Sequence, residues 1–307
     1  MSYADKLFKS MCEDIIENGT DTKGQNVRPI WTDTGEKAFT IKKFGVTNRY
    51  DLRKEFPALT LRRTGIKSAM DEILWIFQRK SNNIKDLAPH IWDEWADENG
   101  SIGKAYGYQI GEAYKHHKFN GSKEELEELK NYPSARLSPS DNMIMMDQID
   151  AVLYDLKHTP FSRRIMTSIW NFSELHEMNL QPCCWSCIFS VTDEGADKLV
   201  LNMQLIQRSN DVLAANNWNV CQYSLLLMMV AQVSNMIPGV LLHTITDANI
   251  YDRHVPLVKE LITREQHPAP IVTLNPEIKN FYDFTTNDLK IENYVTNEQI
   301  KNIPIAV

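Results

Sequence analysis

The chain has 307 residues, 43% of them hydrophobic, with a formal net charge of -7 and five cysteines. That apolar mass suits one large folded unit or two ordinary ones and excludes a disordered or low-complexity description. The acidic balance speaks against a general nucleic-acid binder, which needs a broad basic surface, so an anionic ligand would require a focused arginine site.

The opening MSYADKLFKSMCEDIIENG interleaves charges with apolar residues, unlike the apolar core of a signal peptide. The longest apolar stretch, 223–233, falls short of the roughly 20 residues that cross a bilayer. An odd number of cysteines without an export signal predicts free thiols and a cytoplasmic setting. The first 20 residues read as a helix, GTDTKGQNVRPIWTDTGEKAF as loop, and AFTIKKFGV as a strand. In IKSAMDEILWIFQRK, Ile66, Met70, Ile73, Leu74 and Phe77 recur at helical spacing and Trp75 and Ile76 widen the apolar surface, which predicts a largely buried helix. Glu72 lies inside it, bracketed by Ala69 and Ile76. Pattern alone favours a solvated carboxylate, since Glu is seldom buried; the sharper alternative is a carboxylate at the edge of a cleft.

GSKEELEELKNYP, 121–133, reads as a charged surface insert with a short exposed helix, and DQIDAVLYDLKHTP as an amphipathic helix with a proline stop. RRIMTSIWN, CIFSV and KLVLNMQLIQRS resemble strands, VCQYSLLLMMVAQVSN a buried helix ended near Pro238 and Gly239, and APIVTLNP and DLKIENY two closing strands. With no repeat and no clear linker, this irregular alternation favours an α+β domain over a doubly wound sheet.

Three of the five cysteines fall in NLQPCCWSCIFSV, 179–191. Cys184 and Cys187 have C-x-x-C spacing, but no second pair or histidine cluster stands nearby to complete a metal site. On a strand, alternation puts Cys184 and Cys187 on opposite faces, and Cys183 and Cys187 on one face but about 13 Å apart at roughly 3.3 Å per residue, so neither pair can bridge. Spacing alone favours small apolar fillers. Cys183 is the exception: it follows Pro182 at the strand entry, where a thiol could face a cleft and act as a nucleophile. Such a thiol needs a positive neighbour. QLIQRSNDVLAANNWN supplies Arg208, Ser209, Asp211 and Asn219, a set able to bind phosphate, order water and read a donor–acceptor pattern, which together describe a nucleotide site. Arg163 and Arg164 in SRRI are ambiguous, since adjacent strand residues point to opposite faces.

IWDEWADENGSIGKAYGYQ, SRRI, PC, QRSND, WNVCQYSLL and DANIYDRH occur in that order, and from about residue 4 to the terminal IPIAV the chain resembles the folate-dependent, cysteine-using thymidylate synthase family. The resemblance implies one α+β catalytic domain over 1–307, with a large twisted mixed β-sheet flanked by helices and a sheet face used for homodimerisation. It implies reductive methylation of deoxyuridylate (dUMP), with 5,10-methylenetetrahydrofolate giving both the one-carbon unit and the hydride, and no metal, membrane or obligatory nucleic-acid partner. By position, Cys183 would add to C6 of the pyrimidine. Arg208 would bind the phosphate and lower the thiol pKa, with Ser209 and Arg28 as further phosphate ligands and Arg163 and Arg164 reaching in from the partner subunit. Asn219 would hold O4 and N3 of the base, and Glu72 would organise water near O4. Tyr106 and Asp211 would assist proton movement, Asp211 also holding the folate. Arg62 would face the folate tail, with Ile91, Trp92, Ala215, Trp218, Ala306 and Val307 enclosing the rest. Asn249 and Tyr251 would meet the sugar. Three positions depart from the family pattern: Cys184 where histidine is frequent, Ala215 where glycine is usual, and Asn249 where histidine is usual. Asparagine has a shorter reach, which would weaken deoxyribose binding or loosen sugar selectivity. A pyrimidine-nucleotide hydroxymethylase and a non-catalytic nucleotide-binding homologue are the alternatives on the same fold.

Overall fold

A computed structural model of the chain describes every residue except His90 and Ala196. The helices are α1 (Tyr3–Asn18), α2 (Ile66–Phe77), α3 (Gly107–Gly111), α4 (Lys123–Leu129), α5 (Gln148–His158), α6 (Asn216–Val233) and α7 (Val255–Leu261). The strands are β1 (Thr20–Asp21), β2 (Thr40–Asp51), β3 (Tyr114–Lys118), β4 (Arg136–Leu137), β5 (Met143–Met146), β6 (Met166–Ser168), β7 (Cys184–Thr192), β8 (Val200–Asp211), β9 (Ile237–Tyr251), β10 (Ile271–Leu274) and β11 (Leu289–Glu292). The main sheet has six strands in the order β1-β2-β9-β8-β7-β6. Only its β8–β9 pair is parallel, and α6 is the crossover that a parallel pair requires. This is the mixed α+β architecture expected from the sequence.

Alternation along β8 buries Leu201, Met203 and Leu205 and leaves Asn202, Gln204 and Ile206 partly exposed, so one face of the sheet is core and the other is not. On the core face lies α6, apolar all round and correspondingly buried, with α2 packed against it. Across the opposite face, register aligns Met166, Ile188, Gln204, Leu242 and Arg49 in one row spanning five strands. Met166 is 42% exposed, and Ile188 and Leu242 are half-buried, an apolar strip that this chain leaves uncovered.

β9 is the longest strand and was not expected; Pro238 and Gly239 begin it rather than merely ending the helix before it. Pro238 stands ahead of the residues that pair with β2, so its missing N–H costs no ladder bond on that side. At Gly239 an added Cβ would lie 2.5 Å from Val200 and Asn202, so only glycine admits this approach of β9 to β8. RRIMTSIWN contributes only the short β6; Arg163 and Arg164 lie in the turn before it, so strand alternation does not govern them. The charged segment forms α4 as expected. Leu129 and Tyr132, however, bury in a second, smaller core with Ile144 and Met146, under an unexpected three-stranded sheet ordered β3-β5-β4.

Candidate active site

β8 and β9 run parallel and β7 runs antiparallel to β8, so the start of β7 and the ends of β8 and β9 meet at one edge of the main sheet. Cys183 sits there, just ahead of β7. Its carbonyl accepts from the Arg208 amide at 2.9 Å, and its own amide donates to the Tyr106 hydroxyl at 3.3 Å. The Arg208 guanidinium donates to the carbonyls of Pro182 at 3.0 Å and Gln181 at 2.8 Å, bracing the segment that carries the thiol. Burial pushes the Cys183 thiol above its ordinary value, while the charges of Arg208 and Arg28 pull it down. Burial is the larger effect. Arg208 lowers the thiol pKa as expected, but burial outweighs both arginines and the net shift is upward.

The other nearby cysteines are fillers. Cys184 and Cys187 are buried, all five thiols are free, and a bulge between Cys184 and Ser186 breaks the alternation. Both thiols consequently come within electrostatic range of the Tyr223 phenol instead of pointing to opposite faces.

Glu72, on α2, is 5% exposed, so the solvated reading fails. Its Oε1 accepts from the Trp92 indole N–H at 2.8 Å and its Oε2 from the Trp218 indole N–H. Burial raises its pKa, opposed by these neutral donors and by Gln222. A buried carboxyl whose pKa is raised in this way is suited to proton exchange. Trp92 also lies edge-on to Tyr106, centroids 4.7 Å apart, and Tyr106 takes an unfavourable backbone at φ 47° to place its ring between Trp92 and Cys183.

Asn219, on the first turns of α6, accepts at Oδ1 from Gln207 Nε2 at 3.1 Å. Gln207 also donates to the Ser209 carbonyl at 3.0 Å, and its Oε1 takes hydrogen bonds from Asn210 and His243. A carbonyl only accepts, so the Gln207 nitrogen must face Ser209 and the Asn219 oxygen must face Gln207. That leaves the Asn219 amide one orientation. Ser209 and Asp211 face Asp247 and Asn249 across the β8–β9 register. Asn249 donates to the Ser209 hydroxyl at 3.2 Å and to Asp247 at 3.0 Å, so its N–H groups are spent inside the protein. The half-buried Tyr251 lies in the field of Cys183, Arg28 and Asp211. Asp211 Oδ1 accepts the amides of Leu213 and Ala214, each at 3.0 Å, just before α6.

Ala306 bridges to Trp31, and Ile30 and Val307 exchange backbone bonds at 2.8 and 3.0 Å, which fastens the C-terminus to the loop bearing Arg28. Ala215 caps α6 and Ile91 is 37% exposed. Arg62 turns inward to the Leu213 carbonyl, and the basic groove beside the start of α2 is lined instead by Arg63, Lys67 and Lys290. Arg163 and Arg164 are exposed, and among the described residues no hydrogen bond or ion pair joins their side chains to the Cys183 cluster. Gln207, Gln222, His243, His254 and the groove residues were missed; the available signal was the strand period, which puts Gln207 on the buried face of β8 with Leu201, Met203 and Leu205. Among the described residues no group of three His, Cys, Asp or Glu side chains could hold a metal, and no helix is long and apolar enough to cross a membrane.

Residues 6–307 match the family model described as thymidylate synthase. Thymidylate synthase 1 of Bacillus subtilis strain 168 is 37% identical over 297 residues, 96% of each chain, and thymidylate synthase of Bacillus phage phi3T is 37% identical over the same share. The solved thermostable thymidylate synthase A from Bacillus subtilis superposes with a TM-score of 0.84 at 36% identity, covering 99% of both chains. With the fold, the Cys183–Arg208 strand ends and the match over nearly its whole length in agreement, the chain belongs to the thymidylate synthase family.

Proposed function

We propose that this protein is a thymidylate synthase that methylates deoxyuridylate at C5, with 5,10-methylenetetrahydrofolate supplying carbon and hydride, and that residues 1–307 act as one catalytic domain. The observation that carries the reading is the placement of Cys183 between the Arg208-braced turn and Tyr106, in the same pocket as the buried Glu72. The Cys183 thiolate adds to C6 of the pyrimidine, so that C5 gains the carbanion character needed to accept the one-carbon unit. Phosphate arriving beside Arg208, Arg28 and Ser209 orients the nucleotide, and its binding can release Arg208 from the Gln181 and Pro182 carbonyls. Asn219, held by Gln207, offers N–H to O4 and a second lone pair to N3–H. Cytosine presents the opposite pattern at both atoms. Tyr251 meets the sugar. Asn249 acts through Ser209, which fits its spent N–H groups better than direct sugar binding does.

The folate lies against Trp92, Trp218 and Ile91, whose apolar surfaces remain available once the two indole N–H groups are spent on Glu72. Asp211, Ala215 and the Ala306–Val307 end complete this side, and the contact of Arg62 with the Leu213 carbonyl supports a role in holding that loop. The apolar strip through Met166, Ile188 and Leu242 supports pairing of two sheets face to face. Exposed Arg163 and Arg164, one turn from Met166, then reach the partner's phosphate site. Free thiols support the cytoplasmic setting.

The test is purified protein with methylenetetrahydrofolate and either deoxyuridylate or deoxycytidylate, both products being identified. Thymidylate with dihydrofolate, and a preference for deoxyuridylate of about 5- to 150-fold, is expected, as a mismatched buried hydrogen bond requires. A 5-hydroxymethyl product with tetrahydrofolate would replace the synthase reading with a hydroxymethylase.

A further inference from the structure

His254 is 1% exposed and stands where four parts of the site meet. Its Nε2–H donates to the carbonyl of Pro304 at 2.8 Å. Its Nδ1 lies 3.6 Å from Oδ1 of Asp211, at the end of β8. The ring is edge-on to Trp31 at 5.6 Å and to Tyr251 at 5.5 Å. The neighbouring Arg253 stacks its guanidinium over Trp31 at 4.7 Å and pairs with Asp33 and Glu36 of the same loop.

We propose that His254 is a positioning residue: a latch, seated against Asp211, that holds the C-terminal tail and the Arg28 loop closed as one unit through the Pro304 carbonyl. The proposal rests on the reading of Asp211 and the tail as the folate-holding side. Ile30, Thr32, Ile305 and Val307 exchange backbone bonds, so loop and tail form a two-stranded flap, which rests on the body through the buried Trp31 packed against His254 and Tyr251. On the tail side, the bond from His254 to Pro304 ties that flap to the body, just ahead of the flap's own backbone bonds. The Pro304 carbonyl requires the proton on Nε2, and Nδ1, which has no hydrogen-bond partner among the described residues, faces the Asp211 carboxylate at 3.6 Å, where charge rather than a hydrogen bond seats the ring. Asp211 is thereby linked to tail closure without touching the tail.

Two amide variants separate the halves of the latch. His254→Gln can place an N–H near the Nε2 position and keep the Pro304 bond, whereas His254→Asn reaches only the Nδ1 position and loses it. In substrate-free protein, hydrogen exchange at the amides of Ile30, Thr32 and Val307 should speed up about 5- to 150-fold in His254→Asn and stay close to wild type in His254→Gln, the range expected for one lost buried bond. In kinetics, His254→Asn should raise the KM for the folate by a similar factor with kcat within about threefold, the pattern of lost uniform binding. Equal behaviour of the two variants, or a fall in kcat with an unchanged folate KM, overturns the latch. Exchange is read without turnover, so a wild-type protein that fails to make thymidylate sinks the proposed function and leaves this test standing.

Discussion

Glu72 and Glu125 are buried almost equally, 5% and 7% exposed, yet their surroundings have opposite chemistry. Glu125, in the first turn of α4, accepts the Asn120 amide at 2.8 Å and faces His117 Nε2 at 2.9 Å. His117 stacks on Tyr154 of α5, centroids 4.6 Å apart, so the pair clamps the small sheet to the body. Glu72 meets only neutral donors, two indoles and an amide, in a pocket that raises its pKa. Hydrogen bonds from a backbone amide and to an imidazole that is itself stacked in place make Glu125 a structural element. Neutral donors in an apolar pocket leave it able to gain and lose a proton, which is what a site needs. The insert and the end of the main sheet thus use the same residue for rigidity in one place and reactivity in the other.

The sharpest way to break this contrast is at Cys183. Cys183→Ser should lower kcat at least about a thousandfold, since a hydroxyl with no adjacent base is a far weaker nucleophile. Cys184→Ser and Cys187→Ser should keep kcat within about tenfold while lowering stability by about 1 to 3 kcal/mol, the cost of a hydroxyl among apolar neighbours. Steady-state rates and urea unfolding on the three variants decide it, and equal losses of kcat at all three would remove Cys183 from its role.

Glu72→Gln comes next. It keeps the shape of the side chain but cannot exchange a proton, so kcat should fall about a hundredfold or more. It also presents N–H to one indole donor. Stability carries a second signature: burial raises the Glu72 pKa in the folded protein. Its favourable contribution is therefore fully present below the ordinary glutamate value and is lost as pH rises through the raised one. Urea midpoints across that window should fall with pH in the wild type more steeply than in Glu72→Gln. Parallel profiles would mean that Glu72 is already ionised in the folded chain.

Much of this end of the molecule was legible in the sequence, and the reasons for the gaps are physical. The helical period of α2 and the strand reading of QRSND put Glu72 and Arg208 on the correct elements. The burial of Glu72 was not legible, because its donors come from positions 92 and 218, remote in sequence. β9 went unread because it opens on Pro-Gly and because its buried face includes the polar His243 while its other face includes the apolar Leu242, so hydropathy does not alternate where burial does. The faces of Cys184 and Cys187 were misassigned because one bulge cancels a period of two. His254 had no signal at all, since its partners are the end of β8 and the tail, joined only by tertiary structure.

The smallest effect on activity should come from the insert, and Leu129→Ala is the variant that isolates it. Leu129 is 7% exposed, in a core shared with Tyr132, Ile144, Met146 and Ala151, none of which reaches the Cys183 pocket. Deleting its three buried carbons should cost about 2 to 3 kcal/mol, the lower part of the range for Leu→Ala, because a small core at the edge of the molecule can close over the cavity. The loss should stay local: amides of β5 such as Ile144, which pairs with His117 and Leu137, should exchange faster. Strands of the main sheet should not. At the base of the insert, Lys80 pairs with Asp147, and Tyr282 bonds to Lys80 at 2.8 Å and to Asp150 at 2.6 Å, which ties the start of α5 to the body independently of the small core. For that reason kcat should remain within about twofold, as expected for a site that is distant and separately anchored. A kcat that falls in step with the lost protection of β5 would show that the insert holds the active site, and the division between a rigid clamp and a reactive pocket would not stand.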